Sequence, residues 1–179
     1  MSRDWSKLQI VCYPDPVLRK VCRPVEAFDA DLAALAERML ELMRAEQGVG
    51  LAAPQVGLPL RLFVCNVTGD LKDDMILVNP EIRETFGDAE SQEGCLSIPD
   101  VTVTVRRAQR CRIVASDLTG RPIEADGADL LARCWQHELD HLNGRLIIDA
   151  MSETDRIANR KTLRELERKH KSSRGVVAL

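Results

Sequence analysis

Residues 128–142 read ADLLARCWQHELDHL, and the architecture turns on them. The stretch reads as a buried helix ended by Asn143-Gly144, a helix stop. Within it, His137-Glu138-Leu139-Asp140-His141 sets two imidazoles four residues apart. On a helix such residues share one face, with Cβ atoms about 5–6 Å apart. Two imidazoles there can grip one metal ion. Glu138 follows the first of them, where its carboxylate can reach water polarised by the ion without binding the ion itself. That is the H-E-x-x-H arrangement of hydrolytic metal sites. The ion lowers the pKa of water toward neutrality, and the carboxylate handles the proton. A lone helical histidine is more often a core residue. Here two of the chain's three histidines flank a glutamate on an otherwise apolar helix.

Outward from this helix, the chain from Leu60 to Asp126 reads mostly as strand. LRLFVCNV (60–67), MILV (75–78), VTVTV (101–105) and CRIVASD (111–117) are β-rich or alternating, with turns expected at Thr68-Gly69, Asn79-Pro80 and Thr119-Gly120. Before them, GVGLAAPQVGLP (48–59) breaks regular structure with three glycines and two prolines. Asp29 caps a helix to about Glu46, with Leu32, Leu35, Ala36, Met39 and Met43 at helical spacing. Pro14, Pro16 and Pro24 punctuate an N-terminal segment expected to wrap the surface. A last, polar helix is expected over 153–171, with a weak apolar stripe of Ile157, Leu163 and Leu166, and the tail SSRGVVAL (172–179) is expected to fray. Helix, many short strands, helix, helix is an α+β order. The expected fold is one domain over 1–179: short antiparallel β-sheets packed around the central metal-binding helix, with an N-terminal and a C-terminal helix.

Composition narrows the function classes. With 179 residues, 45% hydrophobic and 30% charged, the chain reads as a soluble globular domain, and 3% aromatics makes its core aliphatic. A net charge of −3 argues against a protein basic all over and built to coat DNA. No apolar run approaches the roughly 18 residues of a membrane span. The start, MSRDWSKLQIVCYPDP, lacks the long apolar region of a secretory signal. The expected location is the cytoplasm, or an organelle if a transit peptide has been removed. Six cysteines with no C-x-x-C pair read as reduced thiols, most of them small core residues.

An open catalytic metal site needs a third protein ligand. A histidine six residues beyond the motif would make a metzincin, but position 147 is Ile. Glu165 has the spacing of a downstream glutamate ligand, in a charge-rich helix beside Arg164 and Glu167. Used that way it would make a metalloendopeptidase. Cys95, in EGCLSIP (93–99), is the upstream alternative, and a thiolate beside a divalent cation is held deprotonated. A third reading keeps a metal or RNA-binding site without catalysis, but that would leave Gln55 and Glu138 without a purpose.

Three motifs now stand in order: GVGLAAPQ (48–55), EGCLS (93–97) and HELDH (137–141). Their combination resembles peptide deformylase, over about Leu8 to Lys169, and the spacing from Gln55 to Cys95 is similar to the compact bacterial and organellar type. The resemblance implies removal of the N-formyl group from the N-terminal formyl-methionine of newly synthesised polypeptides, releasing formate. It implies Cys95, His137 and His141 as metal ligands and Glu138 as general base and acid. Gln55 and the Leu96 N–H would hold the oxyanion, and Gly50 would let the substrate backbone approach. The methionine pocket would include Val49, Leu96, Leu130, Cys134 and the ring of His137. Arg133 stands where some members carry an aliphatic residue, its stem expected to pack and its head to reach water. The family commonly uses Fe²⁺, with Ni²⁺, Co²⁺ or Zn²⁺ able to occupy the site.

Supporting charges are expected around the ligands. Glu93 and Asp140 read as acceptors for the outer N–H of a ligating histidine, with Arg106 or Arg107 as the partner of Glu93. Residues 156–174 carry a net +6, leaving −9 for the rest of the chain. Such asymmetry can mark contact with nucleic acid. By the resemblance, the helix over 153–171 would dock on the ribosome beside its nascent peptide.

Overall fold

Leu62, Phe63, Val64 and Cys65 are all fully buried, because both faces of their strand are covered. Successive side chains of a strand point to opposite faces. Phe63, Cys65 and Leu77 pack with Ala132, Trp135, Leu139 and Leu142 of the metal-binding helix. Leu62, Val64 and Val78 pack with Leu35, Met39 and Met43 of the N-terminal helix. Each fully buried Leu, Val, Met or Phe contributes about 1.5–3 kcal/mol.

The computed structural model describes residues 3–175, with side chains through Ser172 at the C-terminal end. The helices are α1 (Ala30–Ala45), α2 (Asp129–Leu142) and α3 (Glu153–Gly175). The strands are β1 (Gly50–Ala52), β2 (Leu62–Cys65), β3 (Met75–Phe86), β4 (Ala89–Cys95), β5 (Ile98–Arg107), β6 (Arg110–Ser116) and β7 (Pro122–Ala128). A five-stranded sheet runs β1-β2-β3-β6-β7, and β4-β5 form a separate hairpin, all pairs antiparallel. This is the expected α+β architecture, with α2 at its centre. Asp29 caps α1 as expected, its carboxylate accepting from the Leu32 N–H at 2.9 Å. A short 3-10 turn over Ala53–Val56 follows β1, so the glycine-rich stretch is less irregular than its composition suggests.

The expected turn at Asn79-Pro80 is a bulge inside β3. The ladder slips between Val78 and Glu81, and Asn79 takes a left-handed φ of 52°. Its side chain accepts from the Val25 N–H at 2.8 Å and donates to the Val25 carbonyl at 2.9 Å. Pro80 therefore sits where the ladder is already broken and costs no pairing.

The hairpin has its own core. Ile98, Val101, Val103 and Val105 pack with Leu18, Leu146, Ile147 and Met151, and with Leu163 and Leu166 of α3. Ile157 does not join the expected stripe and is 60% exposed. Asn159 is buried in its place and donates to the Thr102 carbonyl at 2.9 Å. Residues 159, 163 and 166 lie at helical spacing on one face, which leaves position 157 on the far side. Helix α3 passes the expected end at Lys171 and continues to Gly175. The remainder of the tail expected to fray, 176–179, lies outside the described residues.

Candidate active site and metal centre

Helix α2 turns its apolar stripe to the sheet and presents His137, Glu138 and His141 toward β1 and the hairpin. The two imidazoles have ring centroids 5.0 Å apart and meet edge-on. Cys95, at the end of β4, approaches with Sγ 3.2 Å from His141 Nε2. A register shift between Glu93 and Cys95 re-aims the end of that strand. The ligand atoms of Cys95, His137 and His141 all lie within 4.8 Å of one another. Glu165 is not part of this group, and among the described residues no other set of ligating side chains converges in this way. One soft thiolate and two imidazoles with room for a further ligand fit a first-row divalent ion.

The carboxylate behind His137 is fully engaged. Glu93 Oε2 lies 3.0 Å from His137 Nδ1. An ionised carboxylate only accepts, so Nδ1 carries the hydrogen and Nε2 is left free to face the metal position. Arg107 forks onto Glu93, Nε to Oε1 at 2.6 Å and a terminal nitrogen to Oε2 at 2.9 Å. Burial alone would raise the Glu93 pKa, but the His137 and Arg107 hydrogen bonds overcome it and hold it at about 2. Burial would also lower His137, yet its bonds to Cys95 and Glu93 raise it to about 10, so an ion binding at Nε2 would have to displace a proton there. His141 goes the other way, lowered by burial and then by the neighbouring His137.

Glu138 is 3% exposed, and its Oε2 has no hydrogen-bond partner among the described residues. Burial raises its pKa to about 7. Gly50 makes room for it: a Cβ there would lie 2.3 Å from Glu138 Oε1 and 2.8 Å from Cys134 Sγ. Gln55 is also buried. The Ala52 N–H donates to its Oε1 at 2.8 Å, which fixes the amide so that Nε2 faces Ser97 Oγ at 3.3 Å and Cys95 Sγ at 3.5 Å.

Gln55, Glu93, Cys95, His137 and Glu138 line a cleft of about 390 Å³, together with Val49, Gly50, Leu96, Leu130, Arg133 and Cys134. The motif residues thus converge from three separate elements. Val49 and Leu130 are 40% and 49% exposed, and so form the rim. Cys134 is buried, with Sγ 3.4 Å from the Val49 carbonyl. Arg133 departs from expectation. Its head does not reach water; it turns inward to Glu93 Oε1 at 2.6 Å and to the carbonyls of Ala89 and Val105. Glu93 cannot be solvated where it lies, so it draws the nearest guanidinium. Arg107, not Arg106, is the hairpin partner of Glu93, while Arg106 pairs with Glu90 at the surface. Asp140 accepts from Arg107 at 2.8 Å rather than from a histidine. Ser97 adds a contact that its motif alone does not assign, and its place within EGCLS is the available signal.

Comparison with known proteins agrees with this geometry. A family model described as polypeptide deformylase matches residues 7–157. A peptide deformylase of Alkalilimnicola ehrlichii is 46% identical over 162 residues, covering 90% of this chain and 91% of the relative. One from Hahella chejuensis is 45% identical over 167 residues, covering 93% and 98%. Among solved structures, a Legionella pneumophila peptide deformylase superposes with a TM-score of 0.85 at 44% identity, covering 90% of this chain and 96% of that one. A plant peptide deformylase superposes with a TM-score of 0.92 at 37% identity, covering 98% and 97%. The chain belongs to the polypeptide deformylase family, the metal-dependent hydrolases that release formate from the N-terminal formyl-methionine of new polypeptides.

Proposed function

We propose that Cys95, His137 and His141 hold one divalent ion, and that Glu138, Gln55 and the Leu96 N–H carry out formamide hydrolysis beside it. The observation that carries this reading is the buried Glu138 carboxylate, whose Oε2 has no hydrogen-bond partner among the described residues, lining one cleft with Cys95 and His137 of the converging ligand group. The donor set and the family together favour Fe²⁺ as the native ion, with Zn²⁺, Ni²⁺ or Co²⁺ also accepted. Bound there, the ion would act as a Lewis acid that makes water a better nucleophile at neutral pH.

The protein groups supply the rest. Water adds to the formyl carbon as Glu138 Oε2 takes its proton. A carboxyl pushed up to about 7 suits a group that must accept a proton and then return it. Gln55 Nε2 and the Leu96 N–H donate to the formyl oxygen as it becomes an oxyanion. Glu138 then delivers its proton to the amine nitrogen, the C–N bond breaks, and the formic acid formed gives up its remaining proton and leaves as formate, with a free amino terminus behind it. Gly50, needed for the close approach of β1 to α2, also leaves its backbone open to the substrate. The methionine side chain enters between Val49, Leu130, Cys134, Leu96 and the stem of Arg133. A formyl carbon bears only hydrogen, so a narrow site excludes acetyl groups and internal peptide bonds.

The substrate places the enzyme where formylated chains are made, in the cytoplasm or an organelle, and six free thiols are consistent with a reducing compartment. No helix among the described residues is long and apolar enough to cross a membrane. We also propose that α3 docks the enzyme on ribosomal RNA. Arg156, Arg160, Lys161, Arg164, Arg168, Lys169 and Lys171 are all exposed, and none forms a salt bridge among the described residues. The catalytic reading is tested by formate release from a formyl-methionyl peptide beside its acetylated counterpart. Release from the formyl peptide alone supports it, and release from neither removes it.

A further inference from the structure

The metal ligands come from two bodies. His137 and His141 ride on α2, and Cys95 ends strand β4 of the hairpin. Their relative placement depends on what crosses the seam between helix and hairpin. Two guanidiniums do, beside the His137–Glu93 bond and the Gln136 amide, which exchanges two 2.9 Å hydrogen bonds with the Ala108 backbone just after β5. Arg107, from β5, reaches Asp140 on α2 at 2.8 Å, one turn after His137. Arg133, one turn before His137, reaches back to the hairpin.

Arg133 makes three contacts there with 13% of its side chain exposed. One terminal nitrogen donates to Glu93 Oε1 at 2.6 Å and to the Val105 carbonyl at 3.1 Å. The other donates to the Ala89 carbonyl at 2.8 Å. Ala89 and Val105 belong to opposite strands of the hairpin, so this one group grips both strands and the carboxylate between them. Glu93 then has both oxygens loaded: Oε1 by Arg107 and Arg133, Oε2 by Arg107 and His137. A carboxylate held on all sides cannot rotate, and the imidazole bonded to it inherits that fixity.

We propose that Arg133 is a positioning residue: its strap from α2 to both hairpin strands holds Glu93, and through it the ring of His137, in register with Cys95. This rests on the reading of Cys95, His137 and His141 as the metal ligands. Arg107 braces α2 beyond His137 and Gln136 ties it to Ala108, but Arg133 is the α2 side chain that grips both hairpin strands and the Glu93 carboxylate together. A planar fork suits the role, since it can serve a carboxylate and two carbonyls at once.

The test uses Arg133→Met and Arg133→Lys in the full-length Co²⁺ holoenzyme. Methionine keeps an apolar stem against the cleft and removes every strap contact. Loss of outer-shell support typically weakens metal binding by about 10–100-fold. Release of Co²⁺ to a chelator should therefore quicken by at least about tenfold, and the visible cobalt spectrum should shift. On a formyl-methionyl peptide kcat should fall while KM changes little. Lysine keeps a charge for Glu93 but not the planar fork, so its release rate should lie between those of the parent and the methionine variant. Parent-like release and spectrum in Arg133→Met would overturn the proposal, even with a lower Tm, and would leave Arg133 a mere stabiliser. A rise in KM alone would also overturn it, making the side chain only a pocket wall. If Arg133→Met fails to fold, parent-like release from Arg133→Lys overturns it as well. Turnover by the parent protein tests the catalytic reading separately, and the chelator assay needs no turnover.

Discussion

The seam between α2 and the hairpin and the outer face of α3 are both rich in arginine, and they use it in opposite ways. At the seam, Arg107 and Arg133 are largely buried, and their hydrogen bonds end on Glu93, Asp140 or backbone carbonyls. On α3, seven cations from Arg156 to Lys171 are exposed and form no salt bridge among the described residues. Buried charge must be neutralised where it lies, so removing one partner strands the other. Exposed charge is already solvated and costs little to delete. The first arrangement fixes geometry, and the second leaves a field available to a partner.

This contrast ranks the expected effects of substitution. The largest belongs to Glu138, whose buried Oε2 has no hydrogen-bond partner among the described residues. Glu138→Gln should keep the metal and lower kcat by about 10²–10⁴, the range that general acid–base catalysis contributes. Elemental analysis and formate release check this together, and loss of the metal along with activity would recast Glu138 as structural or as a ligand. The parent's activity should also fall on the acid side. Burial raises Glu138 to about 7, and protonating it removes the base. A bound cation favours the ionised form, so the acid limb should lie at or below that value.

Next comes the amide held by Ala52 and Ser97. Gln55→Ala should cost about 10²–10³ in kcat, the usual loss for one oxyanion donor, with a smaller effect on KM. Steady-state kinetics decides it, and a pure KM effect would reduce Gln55 to a substrate contact.

At the seam itself, Glu93→Gln should destabilise the fold by about 3–5 kcal/mol at neutral pH, because it leaves two guanidiniums uncompensated. The pH dependence carries a sign. The folded carboxyl sits at about 2, below its ordinary 4.5, so its ionised form is favoured by folding. Its stabilisation is complete above 4.5 and fades as the pH falls toward 2. Chemical denaturation should therefore show parent and variant converging over that window, and a constant gap would contradict the assignment.

The α3 face should yield the smallest change in the enzyme. Replacing Arg160, Lys161, Arg164 and Arg168 with Gln retains good helix formers. Turnover of a short formyl peptide should stay near the parent's, and stability should shift by no more than about 0.5 kcal/mol per site. Co-sedimentation with ribosomes at low salt should drop clearly, as expected for binding that releases counterions. Undiminished pelleting would leave α3 a solvated helix.

The same contrast explains what the sequence made legible. HELDH and Asp29 were readable because helical spacing and capping are local rules. Strand β4, AESQEGC, carries no strand pattern of its own, since only Glu93 within it is buried and hydrophobic alternation has nothing to register. The inward turn of Arg133 was hidden for a related reason. An arginine in a sequence does not show whether water or a buried carboxylate waits at its end, and that answer came from a residue 40 positions away. Asn79-Pro80 reads as a turn by composition, yet the clasp on Val25 that makes it a bulge lies 54 residues upstream. Long-range pairing of polar groups was the missing information, and the buried seam is built from it.

The central claim is that Cys95, His137 and His141 together bind the ion. X-ray absorption at the zinc edge of the Zn²⁺-loaded protein reads this directly. The account predicts one sulfur at about 2.3 Å and two imidazole nitrogens at about 2.0–2.1 Å, with a light atom completing the shell. A shell of nitrogen and oxygen without sulfur would contradict it, since Cys95 would then be no ligand.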